Sequence, residues 1–135
     1  MAENEIPFAE RALAEIDGLH RVLQAWFRGE GGDDAAKVME RFDEAFHMVG
    51  AAGNLLSHEG MAAALPRMRG SRPTLVMEIE DVTLRALSQA GALITYREVQ
   101  RQDSGTTQRW STALLVDRPD RPTPVWALLQ ETVIP

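Results

Sequence analysis

The chain has 135 residues, of which 44% are hydrophobic and 25% are charged, a composition typical of one ordinary globular domain. Its 14 Lys and Arg residues against 20 Asp and Glu residues give a formal net charge of −6, which argues against nucleic-acid binding because phosphate contacts need a basic surface. The absence of cysteine excludes disulfides, thiolate nucleophiles and cysteine zinc sites. The sequence has neither a signal-like apolar run at its start nor a membrane-spanning run. We therefore expect a single cytoplasmic domain over residues 1–135.

The first third of the sequence predicts two helices. Apolar residues from Ala9 to Phe27 recur at three- and four-residue spacing and form one face of a long helix. Gly18 interrupts this face, and its missing side chain would let a neighbouring element approach. The run 29–32 ends the helix because glycine readily adopts the left-handed conformation of a C-cap. An aspartate at 33 or 34 can cap a second, shorter helix, whose apolar side carries Val38, Met39 and Phe42.

A hairpin and a third helix follow. Residues 45–49 have the pattern of a strand, and Leu55 and Leu56 form a short return strand. Ser57 is a suitable N-cap for the third helix. Pro66 should kink or shorten this helix because its ring excludes a backbone hydrogen bond.

The second half of the sequence predicts strands throughout. The alternation that begins at Leu75 changes phase between Ile79 and Val82, which predicts a β-bulge near Glu80 and Asp81. The predicted order of elements is α-α-β-β-α-β-β-β-β. The last three strands, separated by a hairpin turn and a proline-rich connection, are predicted to span residues 92–102, 106–116 and 125–134.

Two of these strands carry apolar residues on both faces, in the segments 113–116 and 125–129. An antiparallel sheet with one solvated face should instead alternate apolar and polar residues. The helices can cover one face, and a partner subunit would cover the other. We therefore expect a homodimer through the outer face of strands 106–116 and 125–134. A pair of strands buried on both faces within a monomer would explain the same pattern.

Two strings of residues carry a resemblance to a known family. Residues 46–53 follow the pattern F-x-x-V-x-x-x-G, and residues 109–115 and 126–132 are similar to a pair of terminal strands. Together with the order of elements, they resemble the nuclear transport factor 2-like superfamily, in its SnoaL-like and domain of unknown function 4440 branch. The resemblance implies an α+β cone, in which three helices pack on a curved, mostly antiparallel six-stranded sheet of cystatin-like fold. Members near this branch often carry a histidine where this chain has Gln130.

The resemblance also implies a concave pocket between the first helix and the sheet, although fold alone does not decide function. We expect a protein that binds a small hydrophobic molecule in an apolar pocket, with no reaction assigned. The alternatives are an enzyme similar to ketosteroid isomerases or polyketide cyclases, which would use a pocket acid or base, and a homodimeric association module without a ligand. The residues expected to contact a ligand are Trp26, Phe46, Met61, Arg109, Trp110 and Gln130.

One predicted strand provides the main candidates for catalysis. Ile94, Tyr96, Glu98 and Gln100 share one face of it because side chains alternate along a strand. On a concave face, burial would raise the pKa of Glu98 and make it a candidate general base beside Tyr96. The alternative, which we favour, places Ile94 and Tyr96 in the core and both Glu98 and Gln100 at the wet end of the sheet, because charged residues are rarely buried.

His47 and Arg109 are the remaining candidates. His47, in the hairpin strand, is the better histidine candidate for a pocket acid or base, whereas His20 on the apolar face of the first helix is more simply a core or pocket-wall residue. Arg109 either pairs across neighbouring strands with one of the acids Glu78, Glu80 and Asp81 or clamps an anionic ligand. The spacing of the histidines gives no metal signature and no cofactor motif is present, so we predict neither a metal nor a cofactor.

Overall fold

The computed structural model describes residues 6–135, and within them the elements follow the predicted order. The helices and strands form one α+β fold, which confirms the predicted fold class. Their bounds are α1 Phe8–Arg28, α2 Ala35–Met39, β1 Phe42–Val49, β2 Leu55–Ser57, α3 His58–Met68, β3 Val76–Ser88, β4 Gly91–Gln102, β5 Gly105–Val116 and β6 Val125–Ile134.

The three helices are capped as the sequence predicts. Gly29 ends α1 in the left-handed conformation with φ of 75°, where a side chain would be strained. The Asp34 carboxylate accepts a hydrogen bond from the backbone N–H of Ala36 at 3.0 Å, and the Ser57 hydroxyl accepts one from Gly60 at 3.1 Å. Among residues 6–135, no helix is both long and apolar enough to cross a membrane.

The second helix is shorter than predicted. It ends at Met39, and Phe42 begins β1 instead of lying on the apolar side of the helix. Phe42 pairs with Trp126 of β6, and its ring packs edge-on against that of Phe46 at 4.8 Å between centroids. Pairing in the sheet and aromatic packing therefore override the helical spacing of residues 38–42.

The six strands form one sheet in the order β2-β1-β6-β5-β4-β3. The pair β1–β6 is parallel and the other pairs are antiparallel. The register of β3 against β4 shifts between Glu80 and Thr83, and Asp81 adopts a positive φ of 56°. The β-bulge predicted near Glu80 and Asp81 is confirmed.

Helix α1 lies on the inner face of the sheet, against β3 and β4, and α3 packs against β1 and β2. Gly18 makes room in this layer, since a Cβ at that position would lie 3.1 Å from Oε1 of Glu15 and 3.4 Å from a guanidinium nitrogen of Arg41. The largest side chains that fill the space between α1 and the sheet are Ile16, Leu19, Phe42, Phe46, Leu65, Ile94, Tyr96, Leu115 and Trp126.

Candidate functional site

The residues predicted to share one face of β4 all lie on its inner face. Ile94 and Tyr96 are completely buried, Glu98 is 1% exposed and Gln100 is 6% exposed. The favoured expectation, that Glu98 and Gln100 lie at the wet end of the sheet, is therefore wrong. Helix α1 covers this part of β4 and provides a polar partner for the buried carboxylate.

That partner is His20, which is 3% exposed. Its Nε2 lies 3.0 Å from Oε1 of Glu98, and its Nδ1 lies 2.7 Å from the carbonyl oxygen of Ile16. A carbonyl only accepts hydrogen bonds, and an ionised carboxylate does the same. With a proton on both ring nitrogens, His20 donates to both acceptors and forms a buried ion pair with Glu98.

The pKa directions agree with this ion pair. Burial by itself lowers the pKa of the His20 imidazole, but the hydrogen bond and the charge of Glu98 raise it above its ordinary value. Burial by itself raises the pKa of Glu98, but His20, with a smaller contribution from Gln100, holds it below its ordinary value. The expected raised pKa of Glu98 is therefore wrong, because a cation faces the carboxylate.

A chain of hydrogen bonds continues from Glu98 toward solvent. Gln100 donates from Nε2 to Oε2 of Glu98 at 2.5 Å. Arg72, in the connection between α3 and β3, donates to Oε1 of Gln100 at 2.8 Å and to Oε1 of Gln102 at 3.3 Å. The same guanidinium lies 5.6 Å from the centre of the Phe27 ring. Arg72 is therefore held in place beside the polar end of the cone interior.

The neighbouring strands add a second ion pair. Arg109 of β5 lies directly opposite Glu98 of β4 and Val133 of β6. It donates to Oε1 of Glu131 at 3.1 Å, and the two side chains are 18% and 8% exposed. Burial raises the pKa of Glu131 and the charge of Glu98 adds to this rise, while Arg109 only partly offsets it.

Three buried polar atoms here make no hydrogen bond within residues 6–135: the hydroxyls of Tyr96 and Ser111, and Nε of Arg109. Tyr96 and Ser111 form a cross-strand pair between β4 and β5, so their side chains lie on the same face of the sheet. Burial raises the pKa of Tyr96 well above its ordinary value, and the Glu98 and Glu131 charges add to this, while the Ser111 hydroxyl and the charge of Arg109 partly offset the rise. We call the whole group the interior polar cluster; it consists of His20, Arg72, Tyr96, Glu98, Gln100, Arg109, Ser111 and Glu131.

Four of these residues were not among the predicted site residues: His20, Arg72, Ser111 and Glu131. Ser111 and Glu131 share the strand face of Arg109, so strand parity and register would have found them. His20 was expected to be a buried core or pocket-wall residue, and it is buried. No local sequence signal connects Arg72 to this site, because the residue lies in a connection.

The remaining predicted site residues lie apart from the interior polar cluster. Trp26 and Phe46 are buried in the core, and Met61 of α3 is partly buried beside it. Trp110 is 46% exposed, and Trp110 and Gln130 alternate with the inward residues of their strands. His47 is exposed and pairs with Leu128 on that same outer face. Glu78 and Glu80 pair with Arg101 and Arg97 rather than with Arg109.

Helix α1 carries a second buried carboxylate, that of Glu15. Glu15 is 4% exposed; it accepts hydrogen bonds from Arg41 at 2.6 Å and from the indole of Trp126 at 3.2 Å. Burial raises the pKa of Glu15, and Arg41 only partly offsets this. Both carboxylate oxygens are engaged, so this group joins α1 to β6 rather than facing a ligand.

A cleft of about 390 Å³ lies between α1, α2 and the connection from β5 to β6. Val22, Trp26, Val38 and Pro122 form its apolar walls. Its volume falls within the range of small-molecule pockets, but among the predicted ligand contacts only Trp26 lines it. Within residues 6–135, no group of three or more His, Asp or Glu side chains could hold a metal ion.

The outer face of the sheet is uncovered by any described element near its middle. Trp110 and Leu128 are 46% and 43% exposed, and Leu114 lies partly buried opposite Leu128. Charged side chains of both signs, among them Arg97 with Glu80 and Asp81, lie toward the β3 side. The strands predicted to be apolar on both faces therefore do present apolar side chains outward.

Proteins of known structure share this fold. No family model matches the chain, and no curated protein matches it. A crystal structure of an NTF-2 like protein of unknown function from Pseudomonas aeruginosa is 31% identical, with a TM-score of 0.86, and the alignment covers 93% of this chain and 99% of that one.

Two more distant structures share the fold at a TM-score of 0.68. One is the CaMKII hub of S. rosetta, at 16% identity over 96% of this chain and 99% of that one. The other, from Xanthomonas campestris, is described as a calcium/calmodulin dependent protein kinase II association domain, at 14% identity over 96% of this chain and 90% of that one. The SnoaL-like branch stays a prediction. On the strength of the Pseudomonas relative, the chain belongs to the NTF2-like family.

Proposed function

We propose that this protein binds a small polar molecule at the interior polar cluster. The observation that carries the proposal is the set of three buried polar atoms without a hydrogen-bond partner, on Tyr96, Ser111 and Arg109. Nearly all buried polar groups in proteins are hydrogen-bonded, and each one left without a partner costs about 1–3 kcal/mol. A ligand with oxygen acceptors would give all three a partner.

The interior polar cluster reaches the surface of the protein at Arg109, whereas its three atoms without a partner are buried. Arg109 keeps 18% of its side chain exposed, and its cross-strand neighbour Val133 is 49% exposed. Glu98, directly opposite Arg109, is buried, and so are Tyr96 and Ser111, whose cross-strand pair lies two residues farther along the strands. A small molecule entering past Arg109 would therefore meet the hydroxyls next. This site is polar, unlike the apolar pocket that the sequence predicts.

We favour binding over catalysis because the candidate base is already engaged. Both oxygens of Glu98 accept hydrogen bonds, from His20 and from Gln100, and the pKa of Glu98 is lowered. An ionised carboxylate held this way positions its neighbours but is a weak proton acceptor. The apolar cleft between α1 and α2 is the weaker candidate site, since it brings no buried charged pair together.

Loss of single hydroxyls tests the proposal. A panel of small neutral and anionic oxygen compounds is titrated into the protein and followed by NMR. We expect Tyr96→Phe and Ser111→Ala each to weaken binding about 5- to 10-fold, the cost of one hydrogen bond. Both variants should be at least as stable as the unaltered protein without ligand, because they remove a buried group that lacks a partner.

The matched control is Thr112→Val, which removes a hydroxyl from the outward side of β5. This change should leave binding unaltered. The proposal is wrong if no compound in the panel binds, or if Tyr96→Phe and Ser111→Ala bind every compound as tightly as the unaltered protein does.

Self-association through the outer face is a second candidate function, and the exposed Trp110 and Leu128 favour it. Exposed apolar side chains on one face of a sheet are typical of a protein interface. The likeness to a structure described as an association domain supports the same idea. The occupant we propose is a second copy of this chain, packed sheet to sheet.

A further inference from the structure

The interior polar cluster contains one more positive charge than its ion pairs use. His20 pairs with Glu98, and Arg109 pairs with Glu131. Arg72 donates only to the amide oxygens of Gln100 and Gln102. Among residues 6–135, no carboxylate lies within ion-pair distance of Arg72. The site therefore presents a net charge of about +1 to anything that enters it.

The two arginines also lie close enough to affect one another. Burial lowers the pKa of Arg72, and the positive charge of Arg109 lowers it further, while the charge of Glu98 partly offsets both effects. Two like charges at the edge of a poorly solvated interior are unfavourable unless an anion shares them. Nε of Arg109, buried and without a partner, adds a donor on the same side as the Tyr96 and Ser111 hydroxyls.

We propose that the molecule bound at this site is a small monocarboxylate, whose oxygens accept hydrogen bonds from Nε of Arg109, from the guanidinium of Arg72 and from the hydroxyl of Tyr96. This inference rests on the proposed function and names its ligand class. A single negative charge matches the single excess positive charge, whereas a doubly charged phosphate would exceed it. A planar carboxylate also fits the planar fork of an arginine.

Binding of an anion has a consequence for Glu131. Its Oε1 accepts from Arg109 at 3.1 Å, so a carboxylate that engages the same guanidinium brings a like charge close to it. The charged and titratable groups around Glu131 are Tyr96 and Glu98 on β4, Arg109 on β5 and His20 on α1. Glu131 already has a raised pKa, so it is the group that takes up a proton when the anion binds.

The test uses propionate and propionamide, which have the same shape and differ in charge. Each is titrated by NMR at pH 6.0 and pH 8.0. We expect propionate to bind at least 10-fold more tightly than propionamide, and more tightly at pH 6.0 than at pH 8.0. In Glu131→Gln, propionate should still bind, and its affinity should depend less on pH.

Arg72→Gln tests the anion contact without removing a partner from a buried ion pair. We expect it to weaken propionate binding about 10-fold and to weaken propionamide binding clearly less, because the amide carries no charge. Arg97→Gln, which removes the same charge from the outer face, should change neither. If Arg72→Gln binds propionate as the unaltered protein does, the assignment of Arg72 is overturned.

The outcomes separate this inference from the proposed function. If propionamide or another neutral oxygen compound binds as tightly as propionate, the monocarboxylate assignment is overturned while small-molecule binding stands. If neither propionate nor any other compound of the panel binds, both are overturned. Equal pH dependence of propionate binding in Glu131→Gln and in the unaltered protein overturns the role of Glu131.

Discussion

Glu98 is a carboxylate with 1% of its surface exposed, in a protein whose core is otherwise mostly apolar. Burying an ionised carboxylate alone would be very unfavourable, so it persists only with a cation and further donors beside it. His20 supplies the cation and Gln100 a second donor. A buried pair of this kind adds little net stability. Removal of one partner, however, leaves the other charge buried without a counter-ion, which strongly destabilises the folded state.

Removal of His20 should therefore destabilise the protein in a pH-dependent manner. The pKa of His20 is raised in the folded state, so its contribution is complete below the ordinary imidazole value of about 6.5 and is lost as pH rises through the folded value. At pH 5.5 Glu98 is still ionised because its pKa is lowered. We expect His20→Gln to cost about 3 kcal/mol at pH 5.5, and clearly less at pH 9.

Urea unfolding of the unaltered protein and the variant at both pH values measures this difference. His47→Gln serves as the control, since His47 is exposed on the outer face and its loss should change stability little at either pH. An equal cost of His20→Gln at pH 5.5 and pH 9 would contradict the ion pair.

At the scale of elements, β4 and β5 each begin with a glycine, and the two glycines have nearly the same φ. Gly91 and Gly105 have φ of 137° and 136°, a conformation that residues with a side chain rarely adopt. Their surroundings differ. A Cβ at Gly91 would overlap the carbonyl oxygen of Leu115 on the paired strand, whereas a Cβ at Gly105 would have nothing within 4 Å.

This contrast separates backbone strain from steric overlap. Gly105→Ala should cost about 1–3 kcal/mol for strain alone. Gly91→Ala should cost at least about 1 kcal/mol more, because β4 and β5 must also move apart. Urea unfolding of both variants gives the two free energies. If they are equal, the close approach of β4 and β5 at Gly91 does not contribute.

At the scale of the whole molecule, the sheet is covered unequally. Helix α1 closes the inner face against β3 and β4, while Trp110 and Leu128 remain exposed on the outer face. A second copy of the chain could cover these exposed apolar side chains, because a two-fold axis lets the same surface patch cover itself.

Self-association predicts that the protein at micromolar concentration has twice the mass of one chain by light scattering. Trp110→Lys should give a monomer, because it places two like charges in the proposed interface. Leu55→Lys is the matched control: Leu55 is 76% exposed on β2, away from the middle of the sheet, and the dimer should remain. A monomeric unaltered protein would refute the proposal.

The sequence by itself determined the order of the elements, the three helix caps, the bulge at Asp81 and the shared face of Ile94, Tyr96, Glu98 and Gln100. These features depend on residues close together in the chain, through helical spacing, strand alternation and local hydrogen bonds. Phe42 shows the limit of this reasoning, since its pairing with Trp126 overrode a helical spacing.

Only the tertiary structure decided which polar side chains meet. His20 and Glu98 are 78 residues apart, and Arg72 and Gln100 are 28 apart. Glu98 can be buried because His20 of α1 places a cation beside it. That cation lowers the pKa of Glu98, whereas burial alone would raise it. No local pattern in the sequence of β4 indicates that its partner lies on α1. The interior polar cluster could therefore be identified only from the tertiary structure.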